Sequence, residues 1–268
     1  MQRSPAHLLA SVAVLAVALT TGGCSTTTGT ASDTTGSIAS EATPRSNIQW
    51  RQEMDSWGNR YRANPADPDA AVHYAQALRA VGQRAQAAAV LEQAAIHNQD
   101  NRAVLGAYGR ALADNGQYQQ ALEVLNRAHT QDQPDWRILS VQGAVLDQMG
   151  RHAEAQRYYA SALRLMPDEP SVLSNLGLSY ALSKNLPEAE ATMRRAAAQR
   201  GAEPKVRQNL ALVVGLQGRF QEAETIAKGD LSPAEAATNV AYLRQMLAQQ
   251  NQWKNNKQSS PLAPTTGS

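Results

Sequence analysis

Cysteine is almost missing from this chain: 268 residues contain one, Cys24. A single thiol excludes an internal disulfide, so no covalent staple holds the fold. A strong charge of one sign is missing too. Lys and Arg number 25 against 23 Asp and Glu, a formal net charge of +2. That balance gives no support to the basic patch on which nucleic-acid binding depends. Long apolar runs are missing except at residues 8–19, and that run is well short of the ~20 residues a membrane-spanning helix needs. No Gly-rich phosphate loop and no nucleophile elbow occur anywhere.

What is present begins with an export pattern. Arg3 supplies a positive start, residues 8–19 an apolar centre, and Thr21, Gly22 and Gly23 small residues at a boundary. Residues 1–23 are therefore expected to be a signal peptide. Cys24 then stands where lipoprotein processing would attach a lipid and create a new N-terminus. Gly22 and Gly23 suit that processing, whereas Thr21 stands where such signals usually carry Leu. The alternative is an ordinary secretory cut that leaves an incidental cysteine. Two or three acyl chains would anchor the protein stably. Ser25, in place of Asp, favours the outer membrane in a Gram-negative cell.

Residues 24–46, rich in Ser, Thr and Gly, read as a disordered tether. As a random coil it would span on the order of 25 Å. Residues 250–268 are expected to form a disordered tail on the same compositional ground.

Between these segments the chain repeats itself. Ala87, Ala121, Ala155, Ala189 and Ala223 recur every 34 residues, in register with Ala75, Gly109, Gly143, Gly177 and Ala211. Gly82, Gly116, Gly150, Lys184 and Gly218 form a third series, and Ala94, Ala128, Ala162 and Ala196 a fourth. This is the tetratricopeptide (TPR) period, with two antiparallel helices in each unit. The repeats are placed at 68–101, 102–135, 136–169, 170–203 and 204–237. Small residues at Gly143 and Ala155 let the two helices of a unit cross closely, and Gly150 suits the turn between them.

Both ends look capped. Trp50, Met54, Trp57 and Tyr61 form one helical face within 47–66. Ser232, Pro233 and Glu235 open a terminal helix over 232–249, whose apolar stripe is Ala236, Val240, Leu243 and Leu247. The fold class expected is all-α: a right-handed TPR superhelical solenoid of about twelve helices.

The repeats and caps account for nearly every ordered position, which leaves no room for a catalytic domain. His73, His97, His129 and His152 occupy four different repeat positions, and none has a His or Cys partner four residues away. His152 falls where other repeats have Tyr118, Leu186 and Phe220, so it reads as packing. Glu188 and Glu190 read as solvated surface. The expectation is no enzyme, no catalytic residue, no metal, no cofactor and no small-molecule substrate.

Binding is the expected trade, because stacked first helices line a concave groove. Its polar half holds Gln76, Arg79, Arg110, Asp114, Arg137, Asp147 and Gln148. Its apolar half holds Leu178, Ala181, Leu182, Leu212 and Leu216. Such a patch marks a partner site, unless the terminal helix or tail folds over it. Asn175 and Asn209 could bond a bound peptide's backbone, or equally a neighbouring repeat. Lys205 and Asn175 would suit a clamp for a terminal carboxylate, but Ser140 and Ala144 break that pattern. Capture of a terminal carboxylate is not expected.

The wording of the repeats adds something more specific. "YGRALADNGQYQQALEVLNRA", "NLGLSYALSKNLPEAEATMRRAA", "RQNLALVVGLQGRFQEAE" and "AATNVAYLRQML" together resemble the TadD family. These are TPR lipoproteins of the tight-adherence (Flp) pilus assembly machinery. The resemblance runs from about residue 50 to 247 and includes the terminal helix. It implies a non-catalytic protein held at the outer membrane, facing the periplasm, that is needed for pilus biogenesis and assists the secretin pore. It places the lipid on Cys24. Two other readings stay open: an adaptor for cell-wall hydrolases, and an enzyme whose site escapes motif reading.

Overall fold

The computed structural model describes residues 46–259. The signal segment, Cys24, the tether up to residue 45 and residues 260–268 lie outside the described residues. The described residues form twelve α-helices and no strand: α1 (Asn47–Ala63), α2 (Pro68–Ala80), α3 (Arg84–His97), α4 (Arg102–Asp114), α5 (Tyr118–Arg127), α6 (Trp136–Gln148), α7 (His152–Leu165), α8 (Pro170–Leu182), α9 (Leu186–Ala197), α10 (Pro204–Leu216), α11 (Phe220–Ala227) and α12 (Pro233–Ser259). No helix among them is long and apolar enough to cross a membrane.

The five even-numbered helices α2 to α10 are the first helices of the repeats, and each has 13 residues. Capping fixes where most of them start. The side chains of Asp67, Asn101, Asp135 and Glu169 accept backbone N–H groups of the first turn. Pro68, Pro170 and Pro204 occupy early positions that need no N–H.

One motif ends all five. The residue in the third sequence series takes a left-handed conformation, and the next residue's N–H reaches back to close the last turn. At Gly150, for example, its N–H donates to Asp147, and the N–H of Arg151 donates to Leu146. Lys184 does the same work without being glycine, at φ 66°. An L-residue there is strained.

Packing within a repeat turns on the small residues. A Cβ added to Gly109 would lie 2.4 Å from Leu125 Cγ, and one added to Gly177 would lie 2.8 Å from Met193 Cγ. At Gly143 the obstacle is the Tyr159 ring, at 2.7 Å. The partner alanines Ala87, Ala121, Ala155, Ala189 and Ala223 are all fully buried. The core is thus a file of helix crossings, with larger side chains such as Leu139, Leu146 and Tyr159 filling around each one.

The ends are covered as the apolar stripes require. Met54, Trp57 and Tyr61 of α1 pack on the first repeat, where Trp57 stacks on His73 at 4.3 Å. Helix α1 stops at Ala63, short of residue 66, because Pro65 disfavours helical backbone at Asn64. At the other end the Ser232 and Glu235 side chains bond each other's backbone N–H groups, a complete capping box. Ala236 and Val240 are buried, and Leu243 sits over Gly215. Residues 250–259, expected to be disordered, instead continue α12. No Pro or Gly interrupts that stretch, and propagating a started helix costs far less than nucleating one.

Glu190 also departs from expectation. It is no solvated carboxylate: its side chain is 14% exposed and joins α9 to the next repeat. It accepts from Arg194 on its own helix, from Gln217 at 2.7 Å and from Arg219 at 2.6 Å. Glu222 accepts from the same two arginines. Burial pushes the Glu190 carboxyl upward, but the bonds from Gln217, Arg219 and Arg194 outweigh it and hold the group at about 2.

Two expected outcomes follow from these joints. Lys184→Gly relieves the strained turn and should stabilise the protein by about 0.5–1 kcal/mol in urea denaturation, after the entropic cost of a freer unfolded glycine. An unchanged or lower midpoint would contradict the turn assignment. The second outcome concerns pH. A depressed carboxylate contributes stability in full above its unfolded value of 4.5, and that contribution fades as pH falls toward 2. The stability gap between wild type and Glu190→Gln should therefore be constant above about pH 4.5 and shrink below it. A gap independent of pH would refute the network.

Candidate peptide groove

Helix contacts place the groove. Each first helix touches the first helix of the next repeat, along the series α2, α4, α6, α8 and α10. Among the described residues no second helix brings its backbone into contact with that of the next second helix. The first helices therefore lie closer together, on the inner side of the stack.

Side chains cross this inner side as rungs. Arg79 on α2 donates to Asp114 on α4 at 2.5 Å. Asn175 on α8 donates to the Ser140 hydroxyl of α6 at 3.4 Å, and Asn209 on α10 to the Ser174 hydroxyl of α8 at 3.1 Å. Both asparagines are thus committed, in part, to a neighbouring repeat. Each keeps a carboxamide oxygen that accepts nothing among the described residues, available to a backbone N–H laid along the groove.

A cleft of about 370 Å³ opens between α8 and α10. Its lining brings together Asn175, Asn209, Leu178 and Lys205 with Ser171 and Arg200. Leu178 is half-buried, its side chain packed on the cluster of Ala189, Met193 and Val213. Leu182 and Leu212 do not line the cleft but stand exposed, at 47% and 41%. Leu216 is half-buried and also lies outside the cleft lining. The six residues expected at the site therefore divide in two: three line one cleft, and three flank it.

Asp147 is a correction to the expected groove. Its side chain is only 7% exposed and is spent inside the stack. It accepts the Ser179 hydroxyl at 2.7 Å and the Tyr159 hydroxyl at 3.0 Å, and pairs with His152 Nδ1 at 2.8 Å. Burial first, then the Asp147 charge, pushes the Tyr159 phenol far upward, so it stays a donor. His152 is accordingly a polar partner and not only packing. A second internal chain runs from Gln142, fully buried, to Asn126 at 2.8 Å and to His129 at 3.2 Å. Sequence reading missed both networks.

The polar end of the groove differs in kind. Arg110, half-buried on α4, has no hydrogen-bond acceptor among the described residues. Burial and the nearby Arg79 charge both pull its proton affinity down, with Asp114 and Asp135 opposing. No group of three or more His, Cys, Asp or Glu residues that could hold a metal occurs among the described residues. The arrangement offers hydrogen-bonding edges, the Arg110 guanidinium without a bonded acceptor and apolar side chains, which is the equipment of a binding surface.

Comparisons with known proteins agree with this geometry. Residues 78–144 and 141–204 each match a tetratricopeptide repeat family. The crystal structure of PilW, described as a widely conserved type IV pilus biogenesis factor, superposes with a TM-score of 0.62. Identity is 16%, over 72% of this chain and 91% of PilW. PilF of Pseudomonas aeruginosa gives 0.52 at 18% identity, over 67% of this chain and 85% of PilF. A chain of the APC/C hetero-tetramer Cut9-Hcn1 gives 0.61 at 13%, over 75% of this chain and 40% of that one. No curated protein matches the sequence. Repeat period, helix pairing, groove and fold likeness converge: the chain is a tetratricopeptide-repeat protein.

Proposed function

We propose that this protein is a non-enzymatic scaffold for assembly of a Flp (tight-adherence) pilus. It is anchored by a lipid on Cys24 to the periplasmic face of the outer membrane, and it assists the assembly or localisation of the secretin. The observation that carries the reading is the groove. Exposed Leu182 and Leu212 beside a cleft with unbonded amide oxygens suit an extended protein segment, and no constellation of reacting groups competes for that space. Two things support the choice of pathway. The repeat wording and terminal helix resemble the TadD family, and PilW, a pilus biogenesis factor, shares the fold.

The lipid adds a physical reason for weak contacts to suffice. A module tethered near its partner binds it at a high effective concentration, so modest groove affinity is enough.

The test uses cells with the gene deleted, complemented by wild type, by Cys24→Ala, or by a Leu182→Asp, Leu212→Asp double variant. Deletion should remove surface pili and heat-resistant secretin multimers, and wild type should restore both. The Cys24→Ala protein should lose palmitate label and membrane attachment, and the groove variant should stay attached yet fail to restore pili. Normal pili and secretin multimers in the deletion strain would overturn the proposal.

A further inference from the structure

The groove has a second, unlike end. Arg79, Arg110 and Arg137 come from three successive first helices, α2, α4 and α6. Two carboxylates lie near them, and both are already engaged. Asp114 accepts from Arg79 at 2.5 Å through one oxygen, and Asp135 caps α6 by accepting the backbone N–H of Arg137 at 2.7 Å through one oxygen. The Arg137 guanidinium lies over the Trp136 ring, 4.5 Å from its centroid. Arg110 has neither a hydrogen-bond acceptor nor an aromatic face among the described residues.

A half-buried guanidinium without an acceptor has lost water without gaining a partner, and that imbalance favours an arriving anion. Arg presents a planar fork that fits a carboxylate through two parallel bonds. The flanking Asp114 and Asp135 would repel a doubly charged phosphate more than a singly charged carboxylate. The chemistry selected is therefore an Asp or Glu side chain.

Distance sets the rest of the motif. Arg110 and Leu212 occupy the same position of repeats two and five, so three helix spacings separate them. At roughly 8–10 Å per spacing that is about 24–30 Å, or about seven to nine residues of extended chain at about 3.3 Å each.

We propose that the groove recognises an extended segment of a partner protein in which an acidic side chain pairs with Arg110. In this segment an apolar side chain about seven to nine residues away meets Leu212. The inference rests on the groove being the partner surface and specifies the partner's chemistry. The chain's own C-terminal residues 250–268 contain no Asp or Glu, so they cannot supply the acidic side chain. Residues 24–46 do contain Asp33 and Glu41.

The test is selection of a phage-displayed random dodecamer library on the protein from Cys24 onward, with Arg110→Ala, Arg110→Lys and Leu212→Asp variants in parallel. Thermal melts confirm that each variant is folded. Wild type should enrich Asp or Glu at one position and an apolar residue about seven to nine positions away. Arg110→Ala should lose the acidic preference and keep the apolar one, and Leu212→Asp the reverse. A synthetic peptide from the wild-type pool should bind Arg110→Ala at least tenfold more weakly. Changing that peptide's acid to its amide should weaken wild-type binding similarly, with no further loss on Arg110→Ala. Arg110→Lys should fall between.

An acidic preference that survives Arg110→Ala, or is absent from wild type, overturns the proposal. If the apolar preference still depends on Leu212, the groove reading stands without it; if neither preference appears, the groove reading falls as well. Pili and secretin multimers in cells report on the pathway separately. Binding that appears only after deletion of residues 24–46 would also overturn the proposal, by making the tether the occupant.

Discussion

The crossing of two helices over a pair of small residues is the constraint on which the rest depends. At Gly109 and Gly177 no Cβ fits, and the facing alanines are wholly buried. Helices held that close bury only one face of each hairpin. The remaining apolar surface must be covered by the next hairpin, so the chain becomes a stack whose stability accumulates from neighbour to neighbour. The same requirement explains the ends. Helix α1 lays Met54, Trp57 and Tyr61 on the first repeat, and α12 lays Ala236 and Val240 on the last, because an uncovered terminal face would be costly.

Curvature follows from what crosses between repeats. Three rungs join residues 35 apart: Arg79 with Asp114, Ser140 with Asn175, and Ser174 with Asn209. One repeat plus one residue is the offset that brings consecutive first helices face to face. The second helices bring their backbones no closer than side-chain reach among the described residues. Where they meet, long side chains span the gap, as Arg194 of α9 does in reaching Glu222 of α11. First helices in backbone contact inside and second helices bridged only by side chains outside are what a bent stack requires.

Much of this was legible in the sequence, and the reason is periodicity. Position in a 34-residue frame points to the crossings and the turn residues, because each repeat must solve the same packing problem. Apolar spacing and a capping box point to the two end helices. Features that occur once were not legible. Asp147 is polar and sits at a groove position, yet Ser179, Tyr159 and His152 draw it inward, and those partners exist only around the third and fourth repeats. The extension of α12 past residue 249 was hidden because Asn, Gln and Lys suit a solvated helix as readily as a loose tail. The asparagine rungs could have been found, since a hydroxyl stands 35 residues before each one. Composition alone could not show that Arg110 lacks a partner, because Asp114 lies four residues along the same helix and is taken by Arg79 instead.

The division of labour among positions has a consequence for how such a scaffold specialises. Packing depends on the small residues and the buried apolar set, and curvature on the rungs. Neither depends on the ninth position of a repeat, which is Gln76, Arg110, Ala144, Leu178 and Leu212 in order along the stack. These five differ in charge, size and polarity, and only Leu178 is tied into the core. Substitution there changes what the groove offers without reopening the crossings beneath. A groove basic toward one end and apolar toward the other can therefore arise on an unaltered frame. The order of its side chains then specifies both the chemistry and the spacing of the segment it can hold.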